Sequence, residues 1–377
     1  MFILVIGHPS SGAFESYGAF ESIGAFEFDQ AEALHEAGHK VVYLSLDLRL
    51  FKQVRKFGKS DFVKRGIDVY DLAIPTIRGL PFFVLFNIRK IGLLSIYHDI
   101  VKTHGTPDIV HAHFTMWAAI STILKIKFNL PLVITEHSSL INHDIISKST
   151  YKIAKKAYSD CNAIISVSSI LQKRIRYHLE LDSVVIPNIV NVNHFRYDPV
   201  KHDKFTFISV GRLLHNKGFD LLIHAFEVFK NHNVFLEIIG DGIERENLSI
   251  LIKKLKLENQ IFLLGYKPRH EIAAQMNKSD VFVLASRGET FGLAYAEAMI
   301  TGLPVIATKC GGPEDFVNED NGLLVPANDI NALSNALLYM YENIKSYDSS
   351  RISESGVERF SPKQIASQLV SLYKTLI

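Results

Sequence analysis

Two glutamates with seven residues between them stand in the segment Ser286 to Phe316, SRGETFGLAYAEAMITGLPVIATKCGGPEDF, and Thr290, Phe291, Gly292 and Leu293 directly follow the first. The segment leaves an apolar run that reads as a strand, crosses a glycine-containing turn, and enters a helix that Gly302 and Pro304 end. Glu289 to Gly292 are therefore expected at a helix N-terminus. Unpaired backbone N–H groups and the helix dipole there suit a diphosphate or the polar oxygens of a sugar. A wholly helical stretch would hold the backbones of Glu289 and Glu297 about 12 Å apart, beyond the roughly 5 to 9.5 Å of paired glycosidase carboxylates. The pair fits the two ends of one extended ligand better, with Glu289 on sugar hydroxyls and Glu297 on a ribose diol. A first-turn acid favoured by the dipole, followed by a surface-facing helix residue, has the same spacing. Spacing alone does not separate these readings.

A second cluster, Val210-Gly-Arg-Leu-Leu-His-Asn-Lys-Gly-Phe-Asp220, places Arg212 and Lys217 in a glycine-bounded turn between a strand and a helix. Ligands of α/β folds bind at such strand ends. A forked guanidinium and a compact ammonium together can neutralise a leaving diphosphate, although two cations in a loop are also commonly just solvated. In the first half, His111-Ala-His113-Phe and Thr135-Glu-His137-Ser-Ser each follow an apolar run. If these are neighbouring strands, His113 and His137 face one crevice and can bond sugar hydroxyls. Histidines held by nearby backbone carbonyls are an equally good account of either one alone. No carboxylate or thiolate stands at metal-ligand spacing, so no metal is expected. Asn188, in Ile186-Pro187-Asn188, reads as a turn residue and carries no chemistry.

The elements that position these residues recur as short β-branched runs separated by helical periodicity, the pattern of parallel strands with crossover helices. Expected strands are Ile3 to Ile6, Val41 to Leu46, Ile109 to Ala112, Leu132 to Thr135 and Ala163 to Val167, then Phe205 to Val210, Phe235 to Ile239, Ile261 to Leu264, Val281 to Leu284 and Pro304 to Ala307. Both sets look doubly wound. The Asn-, Pro- and charge-rich stretch IPNIVNVNHFRYDPVKHDK lies between them. This gives an expected first domain over residues 1–198, a second over 199–360, and a C-terminal helix over 361–377. The stripe Ile365, Leu369, Leu372 and Leu376 on that helix calls for a docking surface that sequence leaves open, the first domain being the favoured one.

The 377 residues, 47% of them hydrophobic, suit two domains, and a net charge of +2 argues against a partner with a phosphate backbone such as nucleic acid. Cys161 and Cys310 stand far apart, which suggests neither a disulfide framework nor zinc and fits a reducing cytoplasm. The opening MFILVIG reads as a buried strand rather than a signal peptide. Residues Arg78 to Lys102 mix Phe82, Phe83, Phe86, Leu93 and Leu94 with Arg78, Arg89, Lys90 and Lys102. That mixture is expected either of two ordinary packed helices or of a peripheral contact with the inner face of the cytoplasmic membrane. Near the start, GAFES, GAFES and GAFEF repeat with a period of six from Gly12 to Phe28, too few and too short for a solenoid. A local duplication lengthening the loop after the first strand is the simpler account.

Taken together the segments resemble glycosyltransferase family 4, retaining enzymes of the GT-B fold. The carriers are Glu289-Thr-Phe-Gly-Leu-Ala-Tyr-Ala-Glu297-Ala-Met, then Gly302-Leu-Pro-Val-Ile and Gly311-Gly, then Val210-Gly-Arg212-Leu with Lys217-Gly, and Val185-Ile-Pro-Asn188. The resemblance implies two Rossmann-like doubly wound α/β domains facing across a cleft. It implies a nucleotide-sugar donor, linked to UDP or GDP, and a glycan or lipid-linked saccharide acceptor, with no cofactor and no metal. It places Glu289 on donor-sugar hydroxyls, Glu297 on the ribose, Arg212 and Lys217 on the diphosphate, and His113 on the donor sugar. Thr290, Phe291, Gly292 and Leu293 belong to the same donor loop, and Gly24 and His137 fall on the acceptor side. Many bacterial members extend capsule, lipopolysaccharide or other surface polysaccharides. A sugar-nucleotide epimerase of similar architecture, and a non-catalytic nucleotide-sugar-binding protein, are the competing readings.

Overall fold

A computed structural model of the chain describes residues 1–9, 25–50 and 57–377. Most of the GAFE repeat, with Gly24, lies outside the described residues. The chain forms two units, Met1–Ile189 together with Pro362–Ile377, and Val190–Ser361.

The first unit holds an eight-stranded sheet: β1 (Phe2–Gly7), β2 (Lys40–Leu50), β3 (Gly58–Lys64), β4 (Ile67–Thr76), β5 (Ile109–His113), β6 (Leu132–Glu136), β7 (Ala163–Ser166) and β8 (Val184–Val185). Their order is β3-β4-β2-β1-β5-β6-β7-β8, parallel throughout except for the β3–β4 pair. β1, β5 and β6 are buried along their whole length, as central parallel strands covered on both faces must be. The helices are α1 (Ala25–Glu36), α2 (Phe82–His104), α3 (Phe114–Phe128), α4 (Ser139–Asn142), α5 (Lys148–Ser159) and α6 (Ser169–Leu179).

Residues 78–102 resolve into one helix with two characters. α2 buries Gly92, Leu93, Ile96, Tyr97 and Ile100 but leaves Phe82, Phe83 and Ile91 exposed. Among the described residues no helix is long and apolar enough to cross a membrane.

The second unit holds β9 (Phe205–Val210), β10 (Val234–Ile239), β11 (Ile261–Gly265), β12 (Val281–Leu284), β13 (Val305–Lys309) and β14 (Gly322–Pro326), with α7 (Phe219–Ala225), α8 (Arg245–Leu255), α9 (Arg269–Met276), α10 (Leu293–Ile300), α11 (Ile330–Asn343) and α12 (Ser349–Phe360). The strand order β11-β10-β9-β12-β13-β14 is parallel throughout. It reverses direction between β9 and β12. In the first sheet the corresponding reversal lies between β1 and β5. Ligands of open α/β sheets bind at such switch points, beyond the carboxyl ends of the strands.

The Asn-rich stretch after Ile189 packs with the second unit. Val190 N–H donates to Phe360 O, the Asn191 carbonyl accepts from His194 and Phe195 N–H, and Phe195 is fully buried. The units thus part at Ile189, nine residues before Asp198. The last helix, α13 (Pro362–Tyr373), returns to the first unit, where Ile365, Ala366, Leu369 and Tyr373 join a core cluster with Ile3, Phe28, Leu34 and Ile109. Leu372 and Leu376 are only partly buried there. Tyr373 closes the contact with a 2.6 Å hydrogen bond between its hydroxyl and His111 Nδ1.

Candidate functional site

Arg212, Lys217 and Glu289 follow the carboxyl ends of β9 and β12, the strands at the switch point of the second sheet. Chain leaving β9 passes Gly211 and Arg212, forms a 3-10 turn at His215–Lys217, and enters α7 through Gly218. Gly218 takes φ +67°, and a Cβ there would lie 1.9 Å from the Ala285 carbonyl oxygen, so only glycine lets this turn press against the end of β12. The opposite side of the loop is held by the β10 exit: Leu213 N–H donates to Asp241 O, Glu244 N–H donates to Leu213 O, and a Cβ at Gly242 would meet Leu213 O at 2.4 Å. Arg287 ties the loop from the β12 side. Its guanidinium bonds both carboxylate oxygens of Asp220 at 2.9 and 2.7 Å and the His215 carbonyl at 2.5 Å, while its N–H donates to Asn216 O.

The result is a rigid cradle that aims one ammonium at one carboxylate. Lys217 Nζ lies 2.6 Å from Glu289 Oε1, and Ser286 Oγ donates to the same oxygen at 2.8 Å. Glu289 is nearly buried and its backbone is fixed independently: its N–H donates to Cys310 O and its carbonyl accepts from Gly312 N–H, making a parallel bridge with Gly311. A Cβ at Gly312 would come within 2.3–2.5 Å of three backbone atoms of Phe291, so the Gly311-Gly312 pair permits this close approach. Phe291 itself points into the core against Phe316 and Phe360. Its contribution to a ligand is therefore through the main chain. Thr290 and Leu293 are half-buried, and Gly292, at φ +92°, turns the chain into α10.

One expectation needs correction. The stretch between Glu289 and Glu297 is not wholly helical, because α10 begins only at Leu293, so the 12 Å separation derived for a continuous helix does not apply. Glu297 is also not surface-facing. It lies inside α10 at 8% exposure, which removes the bland account of it as a solvated helix residue. Arg212 is exposed, on the same loop as Lys217.

In the first unit, His113 ends β5, His137 follows β6, and the two imidazoles meet edge to edge, Nδ1 of His113 at 2.9 Å from Nε2 of His137. Burial, and next the neighbouring histidines, push the His113 pKa well below its ordinary value, and burial pushes that of His137 down to about 3. Both rings are neutral, so each carries one N–H. Whichever ring donates in the shared bond, one N–H and one lone pair are left on the outer nitrogens. Of those nitrogens His113 Nε2 is buried without a protein partner, while the buried Asn188 lies by His137. An unpartnered nitrogen on a neutral imidazole can bond a hydroxyl group. Glu136 fixes the loop behind them, accepting from the N–H groups of His137 and Ser138, from Thr115 Oγ1 and from Tyr158. The neighbouring Phe114 takes φ +62°, uncommon for any non-glycine residue and the kind of strain that collects at functional sites.

Sequence reading missed Arg287, Asp220, Ser286 and Glu136, although all four stand within or beside the quoted segments. Each acts through a partner distant in the chain or at an unremarkable spacing, so no local pattern marks it.

Comparison with known proteins bears on the family and the fold. Residues 193–355 match the family model described as Glycosyl transferases group 1, and residues 28–194 match that of Glycosyltransferase Family 4. An uncharacterized glycosyltransferase of Methanocaldococcus jannaschii is 31% identical over 271 residues, 71% of this chain and 72% of that protein. A putative teichuronic acid biosynthesis glycosyltransferase of Bacillus subtilis is 25% identical over 297 residues, covering 75% of this chain and 73% of its own length. Among solved structures, Anabaena HepE in complex with UDP superposes with a TM-score of 0.76 over 100% of both chains at 21% identity, a likeness of fold. With two parallel Rossmann-like sheets, both family models and a relative of 31% identity, the chain belongs to glycosyltransferase family 4, has the GT-B fold, and is a glycosyltransferase.

Proposed function

We propose that the enzyme transfers a sugar, with retention of anomeric configuration, from a UDP- or GDP-linked donor to a glycan or lipid-linked saccharide in the synthesis of a bacterial surface polysaccharide. The observation that carries the reading is the Lys217–Glu289 contact at the β9/β12 switch point. It sets a cation for a diphosphate beside a carboxylate for sugar hydroxyls. In this reading Arg212 and Lys217 hold the diphosphate, Glu289 and the main chain of Thr290 to Leu293 hold the sugar, and Glu297 holds the ribose. His113 meets a donor-sugar hydroxyl and His137 lies toward the acceptor.

The chemistry follows as a front-face displacement. The bond from the anomeric carbon to the phosphate oxygen breaks, and its electron pair leaves with the diphosphate. The acceptor oxygen bonds to the same face, and its proton passes to a departing phosphate oxygen. Fixed cations supply the stabilisation of developing charge, so neither a protein nucleophile nor a metal is required. The teichuronic acid relative supports the polysaccharide role, and the UDP complex of the Anabaena protein supports a nucleotide diphosphate donor. Proton NMR of the transfer product tests the stereochemistry. Retention of the donor's anomeric configuration is expected, whereas inversion contradicts the mechanism. An epimerised nucleotide sugar formed from donor alone would replace it with the epimerase reading.

A further inference from the structure

Arg287 follows β12 and stands two residues before Glu289, yet its side chain bonds the loop after β9. The guanidinium takes both Asp220 carboxylate oxygens at 2.9 and 2.7 Å and the His215 carbonyl at 2.5 Å, and its Nε donates to Asn328 Oδ1 at 3.0 Å. Its backbone N–H donates to Asn216 O at 2.8 Å. One residue thereby ties together the loops beyond the carboxyl ends of β9, β12 and β14. Asn328 holds its place at φ +61°, a left-handed conformation that asparagine adopts more readily than most residues. Such a set of bonds needs a planar fork of donors, since an ammonium has the charge without the geometry.

These bonds fall on the turn that carries Lys217. With the carbonyls of His215 and Asn216 both held by Arg287, the peptide planes on either side of Asn216 are set, and Lys217 N–H completes the turn by donating to Leu214 O at 3.0 Å. Glu289 is held by other means, its N–H donating to Cys310 O and its carbonyl accepting from Gly312 N–H. Between Arg287 and Glu289 stands Gly288, where an added Cβ would meet nothing within 4 Å. The arginine's grip is thus directed at the lysine side of the site. Its own charge is balanced by Asp220.

We infer that Arg287 is a positioning residue for sugar transfer: by holding the His215–Lys217 turn it sets the Lys217 ammonium where the diphosphate departs, with Asp220 as its counter-charge and Asn328 steadying the fork. This rests on the proposed diphosphate role of Lys217 and extends it to a residue that acts only through that lysine.

The test is a double-mutant cycle on the full chain, read as kcat for release of UDP or GDP from UDP-glucose and GDP-mannose. Arg287→Lys should lower kcat about tenfold, the loss expected when a catalytic group is displaced by a fraction of an ångström. Asp220→Asn keeps the fork but weakens its charge-assisted bonds, and should cost about threefold. In a Lys217→Ala background neither change should lower the remaining rate by more than about twofold, because the group they position is gone. Equal losses in both backgrounds overturn the inference, since Arg287 would then act apart from Lys217. So does a wild-type rate in Arg287→Lys. If Arg287→Lys fails to fold, Asp220→Asn carries the same cycle. Amide hydrogen exchange reads the positioning without turnover: Lys217 N–H should exchange about tenfold faster in either variant, while Glu289 N–H stays as in wild type. Unchanged exchange at Lys217 overturns the inference. Failure of wild type to release diphosphate from any donor strikes the glycosyltransferase reading instead, and exchange then decides the hold of Arg287 on the turn.

Discussion

Lys217→Ala should slow release of the nucleotide diphosphate by about 10²–10³-fold, because it removes a fixed positive charge from the position where negative charge develops. The neighbouring chain is braced without Lys217: Arg287 bonds Asp220 and His215, and Gly218 seats against Ala285. Melting temperature should hence change little. Lys217→Arg should recover only part of the rate. The forked guanidinium is bulkier than the ammonium that fits within 2.6 Å of Glu289 in a pocket glycine residues have narrowed. Steady-state release of UDP or GDP measures both variants, and a loss of less than about fivefold in the alanine variant would mean that the lysine is a structural partner of Glu289 and not a phosphate ligand.

The second large effect is a loss of stability in mild acid. His111, His113 and His137 are fully buried and held below the ordinary imidazole range by desolvation, His111 and His137 to about 3. In the unfolded chain the same side chains bind protons near pH 6.5. Their folded pKa values are the lower ones. The stability they permit is accordingly complete above about pH 6.5 and declines as pH falls toward the folded values. Between pH 6.5 and pH 5 His111 and His137 each account for about 1.6 kcal/mol, roughly 3 kcal/mol together, and His113 shifts stability in the same direction. Urea unfolding at pH 7.5, 6.5, 5.5 and 5 measures the decline, and His111→Gln should reduce its slope. Stability that stayed flat to pH 5 would mean that these imidazoles reach water in the folded state.

Those same histidines mark where sequence reading succeeds and where it stops. β1, β2, β5, β6 and β7, and β9, β10, β12 and β13, were legible because a buried parallel strand is a largely apolar run, and β11, a half-exposed edge strand, because IFLLG is itself apolar. β3 was not, since GKSDFVK is a largely exposed edge strand with lysines and no apolar face. β4 alternates along IDVYDLAIPT, burying every second residue, a period-two signal easily lost beside β3. β8 has only two residues, and β14 is a short run after a glycine.

At the site the difference is one of reach. Glu289, Arg212 and Lys217 stand in motifs whose spacing is a local property. That Lys217 meets Glu289 across 72 positions, or that Arg287 grips the loop before α7, depends on β9 and β12 being neighbours. Strand order is a property of the whole sheet.

The central claim is that Glu289 and its surroundings bind and break a glycosyl diphosphate. Its most direct test is a screen of UDP- and GDP-sugars for diphosphate release by wild type and Glu289→Ala side by side. The account requires release from at least one donor by wild type, and a loss of about a hundredfold or more in the variant. Release at equal rates by both proteins would contradict it.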